Sequence, residues 1–310
     1  MQDDVYKVKI FRLIIQLSRP LYILIAILLY MLGVGIARYL TGQVDWTSYI
    51  LGFAWVVLLL LGFQYLSEYF YPDNMYDGQK WWFTPFSGGS GAIGIGKLSR
   101  QVALWAGLTC LTITASFTVI IYQYQKLTGQ NTLILVLMVL GELAFSLPPL
   151  RIVTSGYGEL MMSIIMVGLI PAMAFSLQGH EIHRILIMVS FPLATLYLGM
   201  LLALEFPSYA SDITHGRRPI LVRIGWQRGM VLHNLLILGS FVILGMAFIY
   251  GLPISIGWPV IFILPVGLFQ VWMMIRIADG AKPNWNLLIL IALATFGLTA
   301  YLLTFSFWTH

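Results

Sequence analysis

The sequence predicts an all-α membrane protein of nine spanning helices, and three observations predict it. Of 310 residues, 59% are hydrophobic and only 9% are charged, with a mean hydropathy of +0.87. Nine apolar runs approach or exceed the ~20 residues that cross a bilayer as a helix. None has the short alternating pattern of a barrel strand, so helix is the form in which each run satisfies its own backbone.

In chain order the runs are 21–40, 49–66, 102–123, 131–147, 157–176, 182–204, 230–250, 255–274 and 286–304. Ahead of them, "VYKVKIFRLIIQLSRP" sets Lys9, Arg12, Gln16 and Arg19 at three- and four-residue steps. That spacing predicts an interfacial amphipathic helix over 1–20, ending at Pro20. The first run lacks a small-residue cleavage site and is followed at once by another, so it reads as a retained span. The whole of 1–310 reads as one domain.

Orientation follows from the cations. With nine spans the termini lie on opposite sides. An inside N-terminus then leaves only Arg38, Lys126 and Arg184, of 17 Lys and Arg, on the outer side. The positive-inside rule therefore supports a cytoplasmic N-terminus, and it makes the net charge of +5 a mark of topology, not of nucleic-acid binding. Cys110 is the single cysteine, so no intramolecular disulfide forms. His180 and His183 are two ligands at most, too few to close a metal site.

Polar chemistry gathers in the inner loops. The longest, 67–101, carries Glu68, Asp73 and Asp77, a Trp pair and the small-residue run Ser87–Gly91. Residues 145–159 hold Pro148, Pro149, Arg151 and Glu159, and 205–229 hold Glu205, Asp212 and four arginines. A loop as long and aromatic as the first is of the functional kind. "EYFYPDNMYD" and "EFPSYASD" are alike: each leads from a Glu at a span end through a Pro to an Asp, a weak internal repeat of the sort that flanks a site. Asp73 and Asp77, four apart, fall on one helical face and form a pair suited to Mg2+, which substrate phosphates complete. Asp212 faces them from the other loop. Guanidinium groups grip diphosphate with paired bonds, and small residues let backbone N–H groups approach phosphate. Each feature also has a plainer reading: a solvated helix end, a topological arginine, a flexible turn.

With these residues in hand, the chain resembles the UbiA superfamily of intramembrane prenyltransferases, especially its naphthoquinone, menaquinone-precursor branch. The resemblance rests on "TPFSGGSGAIGIGKLS", "FSLPPLRIVTSGYGEL" and "EFPSYASDITHGRRPILVRIG", in order among nine spans. It implies nine helices around a central cavity capped by cytoplasmic loops, in a multi-pass protein of a bacterial or archaeal plasma membrane. It implies Mg2+-dependent transfer of an isoprenyl group from an isoprenyl diphosphate to an aromatic acceptor. Carried over by position, Asp73, Asp77 and Asp212 are the metal ligands and catalytic residues. Arg19, Lys97, Arg151, Arg217 and Arg218 are the phosphate-binding cations, with Glu205, Ser208 and Tyr157 as further substrate contacts. The chain departs from the family pattern at Tyr69, Pro72, Leu204 and Ser208, where Asn or Asp ligands are usual or where the helix is interrupted. Those departures keep two other readings open: a terpene cyclase on the same scaffold, and a non-catalytic isoprenoid- or quinone-binding protein.

Overall fold

The structure is a computed structural model that describes residues 2–71, 89–94, 97–124, 126–179 and 181–310. Apart from one isolated bridge between Ile93 and Leu98, its regular secondary structure is helical. Among the described residues, nine helical segments are long and apolar enough to cross a membrane.

Helix α1 (Gln2–Leu17) precedes α2 (Pro20–Thr41), whose first residue is a proline that is pre-set for a helical start. Then comes α3 (Trp46–Tyr69), capped by Asp45, whose carboxylate accepts from the Thr47 and Ser48 amides at 3.0 and 3.3 Å. Next are α4 (Arg100–Gln123) and α5 (Gly129–Ser146), the latter capped by Thr128. The fifth span is composite: α6 (Gly158–Ser163), a π-helical stretch Ile164–Leu169, and α7 (Ile170–Leu177). Helix α8 (Arg184–Glu205) passes through a 3-10 turn at Phe206–Ser208 into α9 (Tyr209–Thr214). The sequence placed the end of this span at 204. Pro207 tightens the helix there without ending it, so Ser208 and Asp212 stay on a helical continuation. After α10 (Ile220–Ile224) and α11 (Trp226–Ile249), the eighth span joins α12 (Ile254–Gly257) to α13 (Leu264–Ala278) through a 3-10 stretch. Helix α14 (Trp285–Thr309) closes the chain.

The core lies between α2, α3, the fifth span, α8 and α14, where Leu29, Trp55, Phe175, Tyr197 and Phe296 are fully buried. Lipid is as apolar as these side chains, so close packing holds the helices together more than burial from water does. Small residues make the approach possible. A Cβ on Gly33 of α2 would lie 2.2 Å from the Pro171 carbonyl oxygen in α7. One on Gly107 of α4 would lie 3.0 Å from the Gly62 carbonyl in α3. The strongest helix pairings, α3 with α4 and α8 with α11, flank the core as two halves.

Loops meet at both ends of the bundle. At the end away from the N-terminal helix, Lys126 bonds Asp45 at 2.5 Å and the Gln178 amide oxygen accepts from the Asp45 N–H at 2.8 Å. The Lys126 ammonium holds the Asp45 carboxyl down at about 2. Because that value is depressed, the bond persists above the ordinary carboxylate range and is lost only as pH falls toward 2.

Two glycines test the packing argument. Gly33→Ala drives a methyl group into a backbone carbonyl, an overpacking cost of about 1–3 kcal/mol, and lowers the melting temperature of the detergent-purified protein. Gly245→Ala in α11 meets nothing within 4 Å; it leaves the melting temperature unchanged or raises it slightly. Equal melting temperatures for the two variants would sink the close-approach account.

Candidate active site

Four chain segments converge at the end of the bundle that carries the N-terminal helix. The turn from α1 into α2 is pinned by three bonds: Ser18 Oγ to the Tyr65 hydroxyl at 2.6 Å, Gln64 Nε2 to the Leu17 carbonyl at 2.9 Å, and Gln16 Nε2 to the Ser90 carbonyl at 2.7 Å. At its apex Arg19 takes φ 43° and points its guanidinium at Glu68, with Nη2 2.6 Å from Oε1. The same carboxylate oxygen accepts from the Ser90 N–H at 2.5 Å. Glu68 is 1% exposed, so a charge-assisted bond here acts in a medium that screens little.

Arg151 repeats the backbone device. It sits at φ 42°, just ahead of the 3-10 turn Ile152–Thr154, and its guanidinium lies over the Tyr71 ring, 5.6 Å from the centroid. Arg100 donates to the Tyr71 carbonyl at 2.5 Å, which fixes that aromatic residue at the end of α3. Arg19 and Arg151 are the non-glycine residues at positive φ among those described. A side chain in that region costs on the order of 1 kcal/mol, and such strain concentrates where function demands a particular direction.

The second acidic segment stands opposite. Glu205 ends α8, buried, and its Oε2 accepts from the Leu221 N–H at 3.1 Å. Its carboxyl group lies within interaction range of Glu159 at the start of α6. Asp212 is 1% exposed; its Oδ1 bonds Arg217 at 2.8 Å and its Oδ2 accepts from Ser208 Oγ at 2.8 Å. The weak repeat in the sequence thus has a structural counterpart. In both copies a buried glutamate at a span end receives a backbone N–H from the loop that follows.

Between the two segments lie two adjoining hollows. One of about 410 Å3 is lined by Arg19, Gln64, Ser67, Glu142 and Ser146. The other, of about 300 Å3, is lined by Glu159 and Glu205 with Leu201 and Leu204. Phe145, Val153 and Met162 belong to both walls. Glu142, inside α5, accepts a hydrogen bond from the Tyr22 hydroxyl. An arrangement of this kind offers cations to an anionic group, apolar walls to a hydrocarbon chain, and isolated polar groups as anchors.

The residues singled out in the sequence separate into three sets. Arg19 lines the larger hollow and Glu205 the smaller; Ser208 bonds both the Glu205 carbonyl and Asp212, Asp212 pairs with Arg217, and Arg151 lies over Tyr71. Lys97, Arg218 and Tyr157 are exposed and line neither hollow: the Lys97 ammonium donates to the Gly91 carbonyl at 2.6 Å, and Tyr157 lies beneath the Arg223 guanidinium at 4.7 Å. Asp73 and Asp77, with Ser87 and Gly88, lie outside the described residues, as does His180. Among the described residues no three His, Cys, Asp or Glu side chains form a cluster fit for a metal ion. Gln64, Glu142 and Ser146 line the larger hollow without having been singled out. Their signal was an ionisable or amide side chain inside an apolar run, which in a membrane marks an inward-facing, paired position.

The backbone matches that of a UbiA homologue from Archaeoglobus fulgidus with a TM-score of 0.66 at 16% identity, covering 96% of this chain and 98% of that one. The homologue solved with GPP and Mg2+ matches with the same score and identity, over 96% and 99%. A structure of a digeranylgeranylglyceryl phosphate synthase matches at 0.62 and 13% identity, over 96% and 97%. No protein-family model matches the sequence, and no curated protein does. The chain has the UbiA fold, and with nine apolar helices among the described residues it is an integral, multi-pass membrane protein.

A double-mutant cycle measures the first ion pair. Arg19→Ala takes the guanidinium away from a buried carboxylate and lowers stability by about 3 kcal/mol, and Glu68→Ala acts similarly. The double variant loses less than the sum, by at least about 1 kcal/mol in detergent unfolding. Strict additivity would show that the two side chains do not depend on each other.

Proposed function

We propose that this protein transfers an isoprenyl group from an isoprenyl diphosphate to an aromatic acceptor of the quinone-precursor type, at a site facing the cytoplasm of a bacterial or archaeal cell. The observation that carries this reading is the placement of Arg19, held at positive φ, on the wall of a hollow at the end of a UbiA-fold bundle, with Arg151, also at positive φ, over the Tyr71 ring. The fold likeness to a homologue solved with GPP and Mg2+ supports it, and the distribution of basic residues supports the orientation.

In this reading the diphosphate lies against Arg19 and Arg151, with Arg217 on the far side. These guanidinium groups stabilise the negative charge that grows on the departing pyrophosphate. The apolar wall of Phe145, Val153 and Met162 excludes water from the allylic carbon, so that an electron-rich ring carbon is the partner it meets. The isoprenyl tail continues along the apolar interior.

Asp212 is the hard oxygen donor that Mg2+ takes, and such an ion needs one or two carboxylates with substrate phosphates and water for the rest. The residues that would hold it are Asp212 with Asp73 and Asp77, and it would neutralise the diphosphate. Ser208, already bonded to Asp212, stands where a further carboxylate is usual in the family. The site therefore carries less negative charge on that side. That same bond, with the Arg217 pair, is what favours the second reading, a non-catalytic isoprenoid-binding protein.

Incubation of the purified protein in nanodiscs with labelled C10 to C20 isoprenyl diphosphates, Mg2+ and naphthoate or benzoate acceptors separates the readings. Pyrophosphate release that requires both acceptor and Mg2+ is expected, with Asp212→Asn slowing turnover on the order of 100-fold. Release without any acceptor means cyclisation. Diphosphate binding that persists unchanged in chelator, with no product, establishes the binding protein instead.

A further inference from the structure

We propose that the Glu159–Glu205 pair is the docking point for a hydroxyl group of the aromatic acceptor, whose ring occupies the smaller hollow. The inference rests on the prenyl-transfer reading for the name of its ligand, and on the geometry of the pair for its location.

The two glutamates come from different helices, the start of α6 and the end of α8, and are 8% and 3% exposed. Both line the smaller hollow, with their carboxyl groups close enough to interact. Glu205 Oε2 is occupied by the Leu221 N–H. No protein group donates to Glu159 Oε2 or to Glu205 Oε1, although both are buried. A buried acceptor without a donor is a standing cost in the free protein, and a ligand hydroxyl removes it.

The rest of the hollow defines what carries that hydroxyl. Phe145, Met162, Leu201 and Leu204 give it an apolar wall beside the two carboxyl groups. A flat hydrocarbon body with one or two polar substituents fits such a site. Among the described residues no third acid or histidine joins the pair in a cluster fit for a metal ion. The shared wall of Phe145, Val153 and Met162 adjoins the Arg19 compartment. A ring anchored at the carboxyl pair therefore presents its edge toward the place assigned to the allylic carbon.

The test uses full-length protein in nanodiscs and two probes of nearly equal shape, 1-naphthol and 1-methoxynaphthalene, with binding followed by calorimetry and no isoprenyl diphosphate present. Wild type is expected to prefer 1-naphthol about tenfold, the value of one good hydrogen bond at a buried acceptor. Glu159→Gln keeps the shape of the side chain but brings an amide N–H that satisfies Glu205, so the preference falls to about twofold or less; Glu205→Gln acts the same way from the other side. Size-exclusion profiles and melting temperatures establish that both variants are folded. Equal binding of the two probes by wild type overturns the proposal without any variant, as does a preference that survives in both folded variants. A hydroxyl preference that depends on the pair, in a protein that never consumes diphosphate, upholds the subsite and refutes transfer. Turnover that is indifferent to both substitutions refutes the subsite and leaves transfer standing.

Discussion

Arg19 meets Glu68 at 2.6 Å in a place where the carboxylate is buried and the guanidinium largely so, and the end of the bundle is arranged around that contact. The guanidinium reaches the carboxylate only because the chain reverses at Ser18 and Arg19, with Arg19 in a backbone region that few residues adopt. The turn is in turn held by Gln64 and Tyr65 of α3 and linked through Gln16 to Ser90. One ion pair thus ties α1, α2, α3 and the segment around Ser90 into a single wall. The physical constraint beneath it is the cost of an isolated charge in a medium of low dielectric constant, which forces the ionisable residues of this protein into mutual contact.

The same constraint shapes the opposite wall with different residues. Asp212 takes Arg217 and Ser208 as partners, and Glu205 takes a backbone amide within range of Glu159. The two walls are not equivalent in balance. Around Arg19 and Arg151 the cations predominate, whereas around Glu205 the acids outnumber the one buried arginine. A site with a cationic side and an acidic side, separated by Phe145, Val153 and Met162, is polarised across a few side chains. Such a gradient suits two substrates that must enter together without exchanging places.

The fold was largely legible in the sequence because a bilayer imposes one length on every span. The run read at 21–40 became Pro20–Thr41, and that read at 286–304 became Trp285–Thr309. Only the sixth was misjudged, since hydropathy falls at Glu205 while the helix continues through Pro207 to Thr214. Charge drew attention to Arg19, Arg151, Asp212 and Arg217, whose roles come from the resemblance to the family. The site was not legible where a single polar side chain hides in an apolar run. Glu142 and Gln64 break no periodicity, and their inward direction is fixed by helix packing that no local pattern encodes. Lys97 and Arg218 illustrate the converse: cations in the right loops whose side chains turn to the surface.

The π-helical stretch Ile164–Leu169 divides the fifth span into halves with separate duties. Its lower half, α7, is clamped against α2, where Gly33 abuts the Pro171 carbonyl. Its upper half, α6, presents Glu159 and Met162 to the hollows. A π turn holds one residue more than an α turn, and each residue of helix subtends about 100°. The azimuth of Glu159 is therefore stored as a count of residues between the clamp and the hollow, not in the identity of any of them. A relative one residue shorter within 164–169 would keep every other side chain of this span and still aim its carboxylate elsewhere, so alignments that close gaps freely in this stretch would pair residues that do not share a direction.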